Sequence, residues 1–107
     1  MELSQNQEVP VLEPKEMRVL KVSGSEVSKI TKALKSPTRQ KILQIIKHTP
    51  MDVSRLAQEL GQTEANISAQ IKNLEKVGLV KSRYEPGGHG VRKICETVVD
   101  KVIITLE

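Results

Sequence analysis

The feature that most constrains the fold is a helical repeat of apolar residues that two glycines, Gly61 and Gly78, interrupt. Before Gly61 the repeat predicts a short helix over residues 52–60. After it, the repeat predicts a longer helix that Thr63 caps and that runs to Val77. The residues expected to pack the two helices together are Leu56, Ala57, Leu60, Ile67 and Ile71. Two helices that cross closely around a glycine turn predict a helix-turn-helix.

The sequence on either side of this pair predicts further helices and strands. Upstream, residues 15–22 predict a short strand, residues 25–35 predict a first helix, and Ser36 is expected to cap a second. Downstream, the apolar period changes to two, which predicts a β-hairpin over about 79–96 and a terminal strand over about 99–106. The predicted fold class is therefore α+β, a winged helix-turn-helix. It has about four helices, a β-hairpin wing and additional N- and C-terminal strands.

A glycine-rich stretch, EPGGHGVRK at residues 85–93, has three possible uses: a phosphate loop, a metal site at His89, or a turn between strands. Phosphate loops open directly into a helix, whereas this stretch continues into β-forming residues. The stretch is therefore expected to be the tip of the hairpin. Gly87, Gly88 and Gly90 are expected to supply its positive φ angles.

Composition excludes several classes of protein. The chain has no Phe or Trp and a single Tyr, so its core must be aliphatic and it has no aromatic platform for stacking bases. No apolar run approaches the roughly 20 residues of a membrane helix. The single cysteine cannot form a disulfide within the chain. Because the absence of disulfides is typical of proteins in a reducing compartment, we expect a cytoplasmic protein.

Charge is distributed unevenly along the chain. Residues 1–16 hold four glutamates and one lysine, whereas the remainder carries a net charge of about +7. We expect a flexible acidic leader over 1–14 and a folded domain over 15–107. A basic domain fits a polyanionic partner, although charge alone carries no sequence recognition.

The outward face of the helix after Gly61 is short and polar, as expected of groups that approach base edges. Asn66 and Gln70 are four residues apart and lie on one face, and an amide can bond adenine bidentately. Thr63, Ser68 and Lys72 are better suited to phosphates. The full predicted face is Thr63, Glu64, Ala65, Asn66, Ser68, Ala69, Gln70 and Lys72. The alternative is that these are ordinary solvent-exposed helix residues.

Residues 33–83, ALKSPTRQKILQIIKHTPMDVSRLAQELGQTEANISAQIKNLEKVGLVKSR, resemble the winged helix-turn-helix domain of ArsR-like transcriptional regulators. The resemblance covers about 27–95. It implies that Thr38 and Arg39 touch backbone phosphate and that the helix after Gly61 is the recognition helix. The wing residues expected to reach the flanking backbone or minor groove are Arg83, His89, Arg92 and Lys93. The C-terminal tail is similar to an archaeal-type subgroup.

The sequence differs from that family at positions that bear on metal binding and catalysis. Metal-sensing members carry cysteines in the helix before the turn, but this chain has neither Cys nor His there. Cys95, His89 and His48 lack a ligand spacing, so neither metal nor cofactor is expected. Cys95 is expected to be a small apolar residue of the second wing strand. No nucleophile and base form a recognisable pair, and we predict that the chain is not an enzyme.

Strand-like sequence replaces the family's C-terminal dimerisation helix. The strands at 17–22 and 102–106 are expected to pair either with each other or across a two-fold axis. The sequence predicts a sequence-specific, double-stranded-DNA-binding regulator that is repressor-like and homodimeric, with its effector unknown and no membrane partner. The alternative is a protein-interaction winged helix that has lost DNA binding. Glu64 at the start of the recognition helix and the absence of arginine on that helix keep this alternative open.

Overall fold

The computed structural model describes residues 17–107, and its helices and strands follow the predicted order. The predicted leader, residues 1–14, lies outside this range. The elements are β1 (Val19–Val22), α1 (Glu26–Leu34), α2 (Pro37–His48), β2 (Met51–Asp52), α3 (Val53–Leu60), α4 (Glu64–Lys76), β3 (Val80–Gly87), β4 (Gly90–Thr97) and β5 (Lys101–Ile104). This is the predicted winged helix-turn-helix, with strands added near both ends of the described range.

Local side-chain hydrogen bonds fix where the helices begin. The Ser36 hydroxyl accepts from the backbone N–H of Arg39 at 3.2 Å, and Pro37 takes the first helical position of α2. The Thr63 hydroxyl accepts from the N–H of Asn66 at 3.1 Å and caps α4. Gly61, with φ of 63°, ends α3 in the left-handed region. These caps set the length and direction of the turn before α4.

The wing contains one more strand than predicted. β4 pairs with β3 on one side and with β2 on the other, both antiparallel. The two residues of β2 are too few to show a period in the sequence. The expectation of positive φ at all three tip glycines is wrong, because of these only Gly90 has a positive φ, of 120°. Gly87 instead lies in β3, paired with Gly90.

The two outer strands pair with each other in parallel, from Val19 opposite Lys101 to Val22 opposite Ile104. This confirms the first of the two pairings expected for them. A fork from Arg18 holds the start of the sheet: its Nε and Nη2 atoms each lie 3.2 Å from a different carboxylate oxygen of Asp100. The backbone N–H of Arg18 donates to Asp100 as well, at 2.9 Å.

The core is aliphatic, as the composition predicts. Its fully buried side chains are Ile42, Ile46, Leu56, Ile67, Ile71, Leu74, Leu79 and Cys95. Three of them, Ile67, Ile71 and Leu74, come from α4 and form the stripe that faces α2, α3 and the wing. Because this stripe is inaccessible to solvent, the opposite face of α4 is turned outward.

Replacing Asp100 with asparagine is expected to lower the thermal stability at neutral pH, and this loss should shrink in acid. The hydrogen bond from the Arg18 side chain lowers the pKa of Asp100 below its ordinary value. The contribution of the fork is therefore complete above the unfolded pKa of about 3.9 and is lost as the pH falls through the folded pKa. Melting temperatures of both proteins between pH 7 and pH 3 would measure this.

The matched control is Glu26→Gln, which removes an exposed pair with Lys29 at 3.6 Å within one helix. Such a pair contributes little, so this variant should melt like the wild type. A cost for Asp100→Asn that is the same at pH 7 and pH 3 would contradict the role given to the carboxylate.

Candidate nucleic-acid interface

The outer face of α4 presents the residues that the sequence predicts for base and phosphate contacts. Its buried stripe fixes the rotation of the helix, so the remaining positions point away from the core. The exposed members are Thr63, Glu64, Ala65, Asn66, Ala69 and Lys72. Ser68 and Gln70 are half-buried, because Ser68 faces the wing tip and Gln70 contacts α2.

The amides of this face are hydrogen-bonded in series. Gln70 donates from Nε2 to Oδ1 of Asn66 at 3.3 Å. Asn66 donates from Nδ2 to Oε1 of Gln62, and Gln62 donates from Nε2 to the Thr38 hydroxyl at 3.3 Å. The sequence prediction omits Gln62, which precedes the Thr63 cap of α4 and reaches this face through its hydrogen bond with Asn66.

Arg39 connects three parts of the domain. Its Nε donates to the carbonyl of Ala33 at 2.7 Å and its Nη2 to the carbonyl of Lys32 at 3.0 Å, which satisfies the C-terminal end of α1. Its Nη1 donates to Oε1 of Gln70 at 2.6 Å. Three of the five N–H groups are thus used inside the protein, which leaves two for the phosphate contact that remains a prediction.

The two arginines and the lysine predicted for the wing are each paired with at least one carboxylate. Arg83 contacts Glu85 at 2.9 Å and Glu96 at 3.0 Å. The hydrogen bond from Arg83 holds the pKa of Glu85 below its ordinary value and raises the pKa of Arg83 itself. The other pairs are Arg92 with Asp52 at 3.2 Å and with Glu85 at 3.4 Å, and Lys93 with Glu75 at 3.6 Å. DNA phosphates that contact these residues therefore compete with the carboxylates for the same positive charges.

A cleft of about 400 Å³ brings the wing tip and α4 together. Glu64 and Ser68 line it from α4, and His89, Arg92 and Lys93 line it from the wing. The other predicted site residues are not part of its lining. The structure therefore brings part of the predicted set into this cleft and another part into the amide series that continues to α2. The predicted residues outside both groups are Thr63, Ala65, Ala69, Lys72 and Arg83.

Cys95 occupies β4, the second strand of the predicted hairpin, and is fully buried. Burial raises the pKa of its thiol, and the Ser82 hydroxyl donates to its sulfur at 3.8 Å. It therefore packs as a small apolar residue. Within residues 17–107, no group of His, Cys, Asp and Glu is arranged to hold a metal ion. None of the helices described in this range is long and apolar enough to cross a membrane.

A glycine turn, an outward polar helix and a β-wing define a winged helix-turn-helix. Residues 36–82 match the family described as bacterial regulatory protein, arsR family. This confirms the resemblance drawn from the sequence: residues 36–82 of this winged helix-turn-helix are ArsR-like. The matching model describes regulatory proteins. The archaeal-type subgroup stays a prediction. Comparison with curated proteins gave no significant match.

Solved structures of similar proteins share this fold. One is the homodimeric winged helix-turn-helix DNA-binding domain Mb0332 from Mycobacterium bovis, a possible ArsR-family regulator. It is 28% identical, with a TM-score of 0.60 over 67% of this chain and 63% of that fragment. The ArsR-like regulator from Rhodococcus sp. RHA1 is 26% identical, with a TM-score of 0.55 over 69% and 66%. NolR from Sinorhizobium fredii, 21% identical with a TM-score of 0.62 over 70% and 71%, matches in fold. The chain therefore spans less than two thirds of the length of the Mycobacterium and Rhodococcus relatives.

Proposed function

We propose that this chain is a sequence-specific, double-stranded-DNA-binding transcriptional regulator of the cytoplasm, repressor-like and homodimeric. The observation that carries the proposal is the exposed polar face of α4, held rigidly by the buried Ile67, Ile71 and Leu74 within the arsR-family segment. A face of short polar side chains on a fixed helix is suited to the major groove. The rival function, a protein-interaction module without DNA binding, is not favoured by this family match.

In the proposed complex, α4 enters the major groove and its amides read base edges. Asn66 and Gln70 supply both a donor and an acceptor, as bidentate bonding to adenine requires. Thr63, Ser68 and Lys72 position the helix against phosphates. Thr38 and Arg39 reach the backbone from α2. The wing residues Arg83, His89, Arg92 and Lys93 reach the flanking backbone or minor groove.

We propose a homodimer because a single recognition helix reads only a short site. Two such helices about 34 Å apart would reach successive major grooves of a pseudo-palindrome. The homodimeric state of the similar Mycobacterium bovis domain supports this arrangement. Light scattering of the full chain that gives the monomer mass at micromolar concentration would contradict it.

The affinity for DNA is expected to fall steeply with salt, with a logarithmic slope of about −0.9 for each phosphate neutralised. Lys72→Gln removes one phosphate contact from α4 and should reduce the slope by about one. Fluorescence anisotropy of a labelled duplex, titrated across a range of salt concentrations, measures the slope for each protein.

The matched control for Lys72 is Lys101→Gln, which removes an exposed lysine from β5 in the other sheet. This variant should keep the wild-type slope. A flat salt titration of the wild type, or equal slopes for Lys72→Gln and the wild type, would contradict the proposed electrostatic contact.

A further inference from the structure

We propose that Arg39 is a positioning residue that fixes the direction of hydrogen bonding across the base-reading amides of α4, and that Gln62 belongs to this face. The inference rests on the proposed function and deepens it. It assigns the orientation of Asn66 and Gln70 to a residue outside the recognition helix.

The hydrogen bonds run in one direction from α2 to α4 and back. The Arg39 guanidinium donates to Gln70, Gln70 donates to Asn66, Asn66 donates to Gln62, and Gln62 donates to the Thr38 hydroxyl. The series thus starts and ends at neighbouring residues of α2. Gln70 lies 31 positions from Arg39, so the fold and not local sequence creates the link.

The direction follows from hydrogen-bonding capacity. A side-chain amide can present either its oxygen or its nitrogen to a neighbour, but a guanidinium can only donate. Arg39 therefore forces Gln70 to present Oε1 to it, which leaves Nε2 of Gln70 to face Asn66. The same reasoning carries the orientation to Asn66 and then to Gln62. Without a donor-only group next to Gln70, the amides could instead all turn over, and the hydrogen bonds would then run from Thr38 towards Gln70.

Arg39 is itself held in place, so the orientation that it imposes is fixed. Its bonds to the carbonyls of Ala33 and Lys32 anchor the guanidinium to the end of α1. Its contact with Gln70 is partly buried, and such a charge-assisted bond is stronger than a neutral one. Before DNA binds, each amide therefore already has a fixed orientation. Its remaining N–H group and its remaining oxygen lone pair are the groups available to a base.

This orientation affects base preference, because adenine needs a donor and an acceptor at defined positions in the major groove. An amide that turns over exchanges those two positions. Preorganisation by Arg39 therefore selects one base over another without any contact between Arg39 and a base. A loss of the anchor should relax sequence preference more than it weakens binding to unrelated DNA.

The first test needs no DNA. In the full chain, Arg39→Met should shift the side-chain amide cross-peaks of Asn66 and Gln62 in a ¹H–¹⁵N spectrum, although Arg39 touches neither. The matched control is Gln40→Met. Like Arg39, Gln40 donates a hydrogen bond to a carbonyl at the C-terminal end of α1, that of Leu34. Unlike Arg39, it is not a member of the amide series. The control should leave those cross-peaks in place.

A shift confined to Gln70 would overturn the proposal, since the orientation would then not pass beyond the first link. If Arg39→Met does not fold, Gln62→Leu provides an alternative test, because it keeps Arg39 and its bond to Gln70. Asn66 loses its acceptor, so its side-chain cross-peaks should shift, whereas those of Gln70 should stay in place. Shifted Gln70 cross-peaks would overturn the proposal, since Arg39 would then not fix the orientation of Gln70.

The second test measures base preference by selection from a random DNA pool. Arg39→Met should reduce discrimination by roughly fivefold or more at the bases that the amides contact. Arg39→Lys retains a donor-only group and should restore most of that preference, while Gln40→Met should leave it unchanged. Shifted spectra with unchanged base preference would overturn the role in specificity. A wild type without any preference would contradict the proposed function, while the spectra still decide the orientation.

Discussion

Replacing Asn66 and Gln70 together with alanine is expected to lower the affinity for the cognate DNA site by about 30-fold to 10⁴-fold. Each amide that bonds a base bidentately contributes roughly 1–3 kcal/mol of discrimination, and 1.4 kcal/mol corresponds to a factor of ten. Neither side chain is charged, so affinity for unrelated DNA should change little. Anisotropy with a cognate and a scrambled duplex at one salt concentration separates the two effects.

Asn73→Ala is the matched control for this pair, because Asn73 is an exposed amide further along the same helix that is not among the predicted contact residues. Its affinity for the cognate site should equal that of the wild type. Full cognate affinity in the double variant would show that this face does not read DNA. An equal loss of affinity for the cognate and the scrambled duplex would show that this face contacts phosphates and not bases.

Ile71→Ala is expected to destabilise the domain by about 2–5 kcal/mol, which is a large part of the 5–15 kcal/mol typical of small domains. The Ile71 side chain is completely inaccessible to solvent and lies between Ile67 and Leu74 on the buried stripe. Its truncation leaves a cavity beneath the recognition helix. Urea denaturation followed by circular dichroism measures the change in the free energy of unfolding.

Val91→Ala provides the comparison, since Val91 is an aliphatic residue of the wing that is 72% exposed. A substitution at such a surface position should change the stability by no more than about 0.5 kcal/mol. If Ile71→Ala costs no more than Val91→Ala, the buried stripe of α4 does not anchor the recognition helix in the way described.

The helices and the hairpin were predictable because their signals are local. Gly61, the Thr63 cap and the periodic aliphatic residues specify the helix-turn-helix within a short stretch of chain. Likewise, the change of period after Gly78 specifies the wing. In each case the residues that decide the structure are close together in sequence.

Contacts between distant residues were not predictable in the same way. Arg39 meets Gln70 and Arg92 meets Asp52 only after the chain has folded, and the sequence gives no sign of either contact. The sequence therefore predicts the basic residues of the wing but not the carboxylates that pair with them. β2 was missed because its pairing with Cys95 and Ile94, and not its own sequence, makes it a strand.

The most direct test of DNA reading is the selection of bound sequences from a random pool of double-stranded DNA by the full chain. We expect an enriched motif of two related half-sites whose centres lie roughly 10–10.5 base pairs apart, or a multiple of that spacing. This motif should disappear when Asn66 and Gln70 are both alanine. A wild-type selection that enriches no motif would contradict the proposal that α4 reads DNA.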